Sequence, residues 1–295
     1  MDASGNTNGF EANPERNHTF QTLGNEEDPT FNQLLGINDN NDIAGYYGSG
    51  AAGHPNMGYV LDPPYEQNDY TNENYPGSEQ TQVTGINNAG ATVGFYIDNS
   101  GGNFGFTDIK GHFTTVVDPK TPPPTSRLAA VDQLLGINNH GIAVGFYLDR
   151  NGRSHGYEYN LAKGTFRAIT PPGATSVTAT GINDAGEVSG FFTEESGTVA
   201  SFLFHGAGDY TLIEFPFSGN TTALGVNNKG QMVGSYVDFA GKTDGFLYTA
   251  GTWQGIDDPE GIGSTVINGL NNNGDLVGFY TDSSGNTDGF EAVPQ

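Results

Sequence analysis

The sequence predicts an all-β fold, a six-bladed β-propeller with four antiparallel strands per blade. Three observations lead there. One motif recurs six times at a near-constant interval, each interval holds four strand-like segments, and no stretch keeps a 3.6-residue apolar period. Residues 1-295 are read as one domain, with closing strands in 1-23 and blades in 24-295.

The motif is Gly36-Ile37-Asn38, Gly85-Ile86-Asn87, Gly136-Ile137-Asn138, Gly181-Ile182-Asn183, Gly225-Val226-Asn227 and Gly269-Leu270-Asn271. Successive glycines lie 49, 51, 45, 44 and 44 residues apart, within the range of propeller blades. A first strand enters the motif, and a tight turn such as Asn88-Ala89-Gly90 follows, its glycine supplying positive φ. In the first copy Asn41 takes that slot, the residue that tolerates it best after glycine. The second strand carries Val93-Gly94-Phe95-Tyr96 and its equivalents. Its repeated glycine predicts a close approach from a neighbouring sheet. A turn such as Asp98-Asn99-Ser100-Gly101 leads to a third strand at Gly105-Phe106, and a fourth ends at Asp118-Pro119. The last unit stops within its third strand, Asp288-Gly289-Phe290-Glu291-Ala292, so His18 to Leu23 is expected to complete that blade and remove an open edge. Asn6 to Ala12 nearly duplicates Asn286 to Ala292, which leaves two candidates for the third-strand slot.

These units resemble the HAF-type extracellular repeat family over essentially the whole chain: Gly-Ile-Asn-x-x-Gly-x-x-Val-Gly, then Gly-Phe, then an extended segment. The resemblance implies the architecture and says little about activity. A propeller of this size and repeat type, without catalytic signatures, is also similar to the β-propeller hetero-Diels–Alderases of fungal tropolone–sesquiterpenoid biosynthesis. That likeness implies a cofactor-independent natural-product cyclase. No residue motif carries it, so no catalytic residue is assigned.

Composition narrows the partners. The 34 acidic residues against 10 basic ones give a net charge of −24, which disfavours nucleic acid and anionic membrane surfaces. With 14 tyrosines, 19 phenylalanines and 45 glycines, the chain is too aromatic for a disordered acidic polymer. There is no cysteine, hence no disulfide and no thiolate metal site. No apolar run approaches the roughly 20 residues of a membrane span. Met1-Asp2-Ala3-Ser4 has no signal-peptide character, yet the sequons at Asn17 and Asn220 fit a secreted protein whose leader is absent from this chain. Oligomeric state is not legible.

In propeller topology the turns between strands two and three, and the connections between blades, share one face. That face carries the irregular sequence here, and binding usually resides in such loops. Tyr65, with Tyr70 and Tyr75, is placed in the first inter-blade connection, between Pro63-Pro64 and Gln80. Arg127 sits in the next one, suited to a carbonyl or carboxylate, and Phe217 in a later one. His54 and His155 are the acid–base candidates on that face. Three positions before each motif glycine stand Gln33, Gln82, Gln133, Thr178, Thr222 and Val266. Strand alternation predicts that the five polar ones ring the axial channel and orient an apolar or polycyclic ligand. Each feature has a plainer account: the tyrosines pack on their own blade, Arg127 forms a surface ion pair, and the ring only solvates channel water.

Other motifs do not hold. Gly152-Arg153-Ser154-His155-Gly156 matches a nucleophile pattern, but it falls in a hairpin turn and not in a strand-to-helix elbow. Asp98, Asp149, Glu194, Asp238 and Asp282 mark turns without calcium-loop spacing, and no histidine pair supports zinc. No cofactor motif occurs. The six-bladed fucose-type lectins repeat tryptophan and arginine in each blade, whereas only Trp253 is present here. Two readings remain: a cyclase acting by orientation and hydrogen bonding in one pocket, or a non-catalytic secreted glycan- or protein-binding module.

Overall fold

The computed structural model describes residues 18–125, 128–216 and 220–295. Blade 1 contains β2 (Asn32–Ile37), β3 (Ile43–Tyr47), β4 (Met57–Leu61) and β5 (Tyr70–Asn72), and blade 2 contains β6 (Gln80–Ile86), β7 (Thr92–Ile97), β8 (Asn103–Asp108) and β9 (Phe113–Val116). Blade 3 contains β10 (Asp132–Ile137), β11 (Ile142–Leu148), β12 (Ser154–Asn160) and β13 (Thr165–Ala168). Blade 4 contains β14 (Ala174–Ile182), β15 (Val188–Glu194), β16 (Val199–Gly206) and β17 (Asp209–Ile213). Blade 5 contains β18 (Thr221–Val226), β19 (Met232–Val237), β20 (Thr243–Thr249) and β21 (Thr252–Ile256). In blade 6, β22 (Ser264–Leu270), β23 (Leu276–Thr281) and β24 (Thr287–Pro294) are completed by β1 (His18–Leu23). The six-bladed propeller is therefore present. A 3-10 turn at Gln67–Asp69 is the one helical element among the described residues.

Closure follows the predicted route. β1 pairs antiparallel with β24, from His18 opposite Pro294 to Leu23 opposite Gly289. The C-terminal copy, Asp288 to Ala292, thus takes the third-strand slot, while its N-terminal duplicate lies outside the described residues. Neighbouring blades also touch by parallel bridges at the start of their third and first strands: Phe31–Thr287, Asn103–Val131, Val199–Asn220 and Thr243–Ser264. Between blades 1 and 2 the Thr81 N–H donates to Asn56 O at 2.9 Å. Between blades 3 and 4 the Ser154 N–H donates instead to a side chain, Ser176 Oγ, at 3.1 Å.

Two sets of glycines explain why the repeat is written as it is. Each first strand shifts register just before its motif glycine, as between Leu34 and Gly36. This bulge turns a carbonyl onto the second strand. A Cβ on Gly145 would lie 1.9 Å from Gln133 O, and one on Gly278 2.0 Å from Val266 O. The close approach comes from the glycine's own blade and not from a neighbouring sheet, and the third-strand ring crowds the same space, as Phe106 does at Gly94. The motif glycines pack on each other around the axis: a Cβ on Gly36 would meet the Gly85 Cα at 3.1 Å, and one on Gly85 the Gly136 Cα at 3.1 Å.

The core lies between blades, with one large third-strand ring at the centre of each. It is Phe106, Phe202, Phe246 and Phe290 in blades 2, 4, 5 and 6, and Tyr59 and Tyr157 in blades 1 and 3. The difference has a partner on the first strand. Opposite phenylalanine stand Thr81, Val177, Thr221 and Thr265; opposite the tyrosines stand Asn32 and Asp132, which accept their hydroxyls. A buried phenol is retained only where an acceptor satisfies it.

The short-turn face closes the ring a second time. Each motif asparagine donates its Nδ2 to the backbone carbonyl of the next one, Asn38 to Asn87, then to Asn138, Asn183, Asn227, Asn271 and back to Asn38, at 3.0–3.2 Å. Its Oδ1 accepts backbone N–H groups of its own turn, as Asn87 does from Ala89 and Ala91. The following residue forms another complete circle: Asp39, Asn88, Asn139, Asp184, Asn228 and Asn272 each donate a backbone N–H to the next side-chain oxygen at 2.7–2.9 Å.

Candidate functional site

The axial channel is narrow. Two cavities of about 90 Å³ each lie along it, one bordered by the two Asx circles and one by the motif glycines and their neighbours. Its polar lining includes Thr84, Thr180 and Asn268, which donate to Leu134 O, Ala223 O and Leu34 O of the next blade at 2.8–3.0 Å. The row predicted to ring the channel borders neither cavity. Gln33 Oε1 accepts the Tyr46 hydroxyl at 2.8 Å, Gln82 Nε2 donates to Asn56 Oδ1 at 2.8 Å, and Thr178 Oγ1 reaches Ser154 Oγ at 3.4 Å. Gln133 and Thr222 are half-buried at the equivalent place. The bulge before the motif glycine shifts the strand's alternation by one residue. The position next to the glycine therefore faces the axis, and the predicted row turns toward the blade interfaces.

Tyr65 is also elsewhere than predicted. The fourth strand of blade 1 is Tyr70–Asn72, so Tyr65 belongs to the turn between third and fourth strands, on the short-turn face. Its hydroxyl donates to Asn41 O at 2.9 Å and lies 3.0 Å from Glu291 Oε1. Arg127 and Phe217 lie outside the described residues. His54 is on the loop face as expected, its Nδ1 2.8 Å from Asp28 Oδ2.

A larger cavity of about 230 Å³ opens on the loop face at the end of blade 3. Its walls come from three segments: Asp118 and Lys120 of the connection from blade 2, Tyr147 and Ser154 to Tyr157 of blade 3, and Ala168 to Val177 leading into blade 4. At about 230 Å³ it falls below the roughly 300–1,000 Å³ of drug-sized sites and matches a single substituted ring. Two local features open it. In blades 2 and 5 the residue before the inter-blade proline is aromatic and stacks on the second-strand tyrosine, Tyr75 on Tyr96 at 3.8 Å and Phe215 on Tyr236 at 3.7 Å. In blade 3 that residue is Asp118, and among the described residues Tyr147 stacks with His155 alone, ring centroids 5.0 Å apart. The second is the bridge to blade 4, where the Ser154 N–H donates to the Ser176 side chain in place of a backbone carbonyl.

The floor is a fixed polar network. Asp132 is fully buried; its Oδ2 accepts the Asp118 N–H at 2.7 Å and the Thr121 hydroxyl at 2.6 Å, and its Oδ1 accepts the Tyr157 hydroxyl. Burial pushes its carboxyl up to about 6 against those hydrogen bonds, and burial beside that carboxylate raises Tyr157 well above the usual phenol range. Burial, then Asp118 and Asp149, raise Tyr147 as well. His155 Nε2 lies 3.2 Å from Asp149 Oδ2. The Ser154 hydroxyl meets Thr178 and no base, so the hairpin reading of its motif holds. Sequence reasoning placed His155 on this face but passed over Asp118, Tyr147 and Tyr157. The available signal was variation between units: Asp118, like Asp28 and Asp258, where two sister units have an aromatic, and Tyr157, like Tyr59, where four have phenylalanine.

No family model matches the chain, and no curated protein matches it. Among solved structures it is similar to a fucose-specific lectin from Aleuria aurantia, at 11% identity and a TM-score of 0.52, over 89% of this chain and 91% of that one. It is also similar to TolB from Acinetobacter baumannii, at 11% identity and a TM-score of 0.53, over 92% and 66%. A prolyl endopeptidase matches at 12% identity and a TM-score of 0.50, over 90% of this chain and 40% of that one. At such identity these likenesses establish the propeller fold alone. Among the described residues no helix is long and apolar enough to cross a membrane, and no group of three or more histidine or acidic side chains is placed to hold a metal ion.

Proposed function

We propose that this chain is a small-molecule-binding propeller that holds one ring-sized organic ligand at the end of its third blade. The observation that supports it is the cavity of about 230 Å³ on the loop face there, walled by Asp118 where blades 2 and 5 stack an aromatic. Rigid blades carry the site and irregular connections supply its walls.

The finer reading, that the chain is a HAF-type cyclase performing a hetero-Diels–Alder cycloaddition without a cofactor, uses the same pocket. The Tyr147–His155 plane and the Ser154, Thr170 and Thr175 hydroxyl groups would orient the reacting ring. Orientation of this kind contributes up to about 7–11 kcal/mol. The cavity's size admits one ring, so a polycyclic substrate would keep its remainder outside. The second reading is a secreted, non-catalytic glycan-binding module. A monosaccharide is also of this size, the fold is shared with a fucose-specific lectin, and Asn220 of the second sequon is exposed.

Titration of the chain with single-ring glycosides and with diene–heterodienophile pairs, followed by the His155 imidazole resonances, tests the proposal. One ligand per chain is expected, abolished by Thr175→Trp, and product formation from the diene pairs separates cyclase from lectin. Six equivalent sites per chain, or binding that survives Thr175→Trp, would refute it.

A further inference from the structure

The chain contains three copies of the cradle in which Asp118 sits. Asp28-Pro29-Thr30-Phe31, Asp118-Pro119-Lys120-Thr121 and Asp258-Pro259-Glu260-Gly261 occupy equivalent inter-blade connections. In each, the aspartate Oδ1 accepts the N–H two residues on, at 3.1, 2.8 and 2.9 Å. Each aspartate carbonyl accepts the N–H three residues on, at 3.4, 2.9 and 3.0 Å, closing a turn with proline in its preferred place. All three side chains are 4–5% exposed. Each cradle therefore presents its Oδ2 in the same way, and the three copies differ in what meets it. Asp28 Oδ2 is occupied by the chain's own His54 imidazole at 2.8 Å. Asp258 Oδ2 is sealed from solvent without a partner. Among the described residues no hydrogen bond reaches Asp118 Oδ2, and Asp118 borders the open cavity.

We propose that Asp118 is the anchor of that cavity and that its ligand is a protonated nitrogen base on a single ring, seated as His54 is seated on Asp28. The inference rests on the pocket reading above and names its ligand class. The carboxylate supplies a charge-assisted acceptor, and the Tyr147 ring, buried but bordering the cavity, supplies a cation–π surface. The chain's −24 charge concentrates cations around it. Lys120 is exposed at the rim, and its backbone N–H, not its ammonium, is the group bound to Asp118.

Benzylamine and benzyl alcohol, equal in shape and different in charge at pH 7, separate the possibilities. By calorimetry, benzylamine is expected to bind about tenfold or more tightly than the alcohol. Asp118→Asn, which keeps the acceptor for the Lys120 N–H and so the turn, is expected to erase that preference. His54→Ala removes an exposed side chain and is expected to add a second benzylamine site per chain at Asp28. Equal binding of the two probes, a preference that survives Asp118→Asn, or no second site in His54→Ala would overturn the inference. Equal binding that still moves the His155 resonances leaves the pocket standing while the ligand class falls; if neither probe moves them, the pocket falls too.

Discussion

The two faces of this propeller are built by opposite rules. On the short-turn face every blade repeats the same contact, an asparagine amide handed to the next blade, until the sixth returns it to the first. On the loop face the equivalent positions differ from blade to blade: aspartate at 28, 118 and 258, aromatics at 75 and 215, threonine at 170. Repetition on one face fixes the ring; variation on the other leaves a cavity. Because closure is secured by the repeated face and by the β1–β24 pairing, the loop face is free to diverge without opening the ring.

The largest expected effect lies in the repeated framework. Gly278→Ala puts a Cβ 2.0 Å from Val266 O, which only backbone movement can relieve, and should cost about 3 kcal/mol in urea unfolding. Next is the asparagine circle. Asn183→Ala removes the donor to Asn227 O, at 3.0 Å, and the acceptor for the Glu187 N–H, at 2.9 Å, and should cost about 2 kcal/mol.

A smaller effect belongs to pH. Burial, then repulsion from Asp108, pushes the Glu73 carboxyl up to about 7, while the Thr92 hydroxyl donates to its Oε1 at 2.6 Å. Its folded value lies above the unfolded 4.5, so its contribution is fully present below pH 4.5 and is lost as pH rises through 7. Glu73→Gln should therefore raise Tm relative to the parent chain at pH 8, with the difference gone at pH 4.5. The smallest effect is expected in a loop-face turn: Phe239 is 86% exposed, and Phe239→Ser should change stability by less than about 0.5 kcal/mol.

Much of the fold was legible in the sequence because repetition is itself a geometric statement. The spacing of Gly36, Gly85 and their equivalents located every first strand, and the truncated last unit foretold the β1–β24 closure. The site was less legible, for two physical reasons. Strict alternation along Gln33-Leu34-Leu35 assumed an unbroken period of two, and the bulge before Gly36 shifts it by one residue. The stretch from Pro63-Pro64 to Gln80 reads as one inter-blade connection holding Tyr65, but the turn of blade 1 that holds Pro63-Pro64 is longer than its sisters and displaces the fourth strand to Tyr70. Variation between units at Asp118 and Tyr157 was in plain view, yet only the paired contacts of Tyr157 with Asp132 and Tyr59 with Asn32 give the tyrosines meaning.

The division of labour between the faces is tested most directly by a crystal structure of the chain soaked with benzylamine. The account predicts one ordered molecule per chain, its nitrogen on Asp118 and its ring against Tyr147. Density within the Asx circles, or equal density at every blade end, would contradict it.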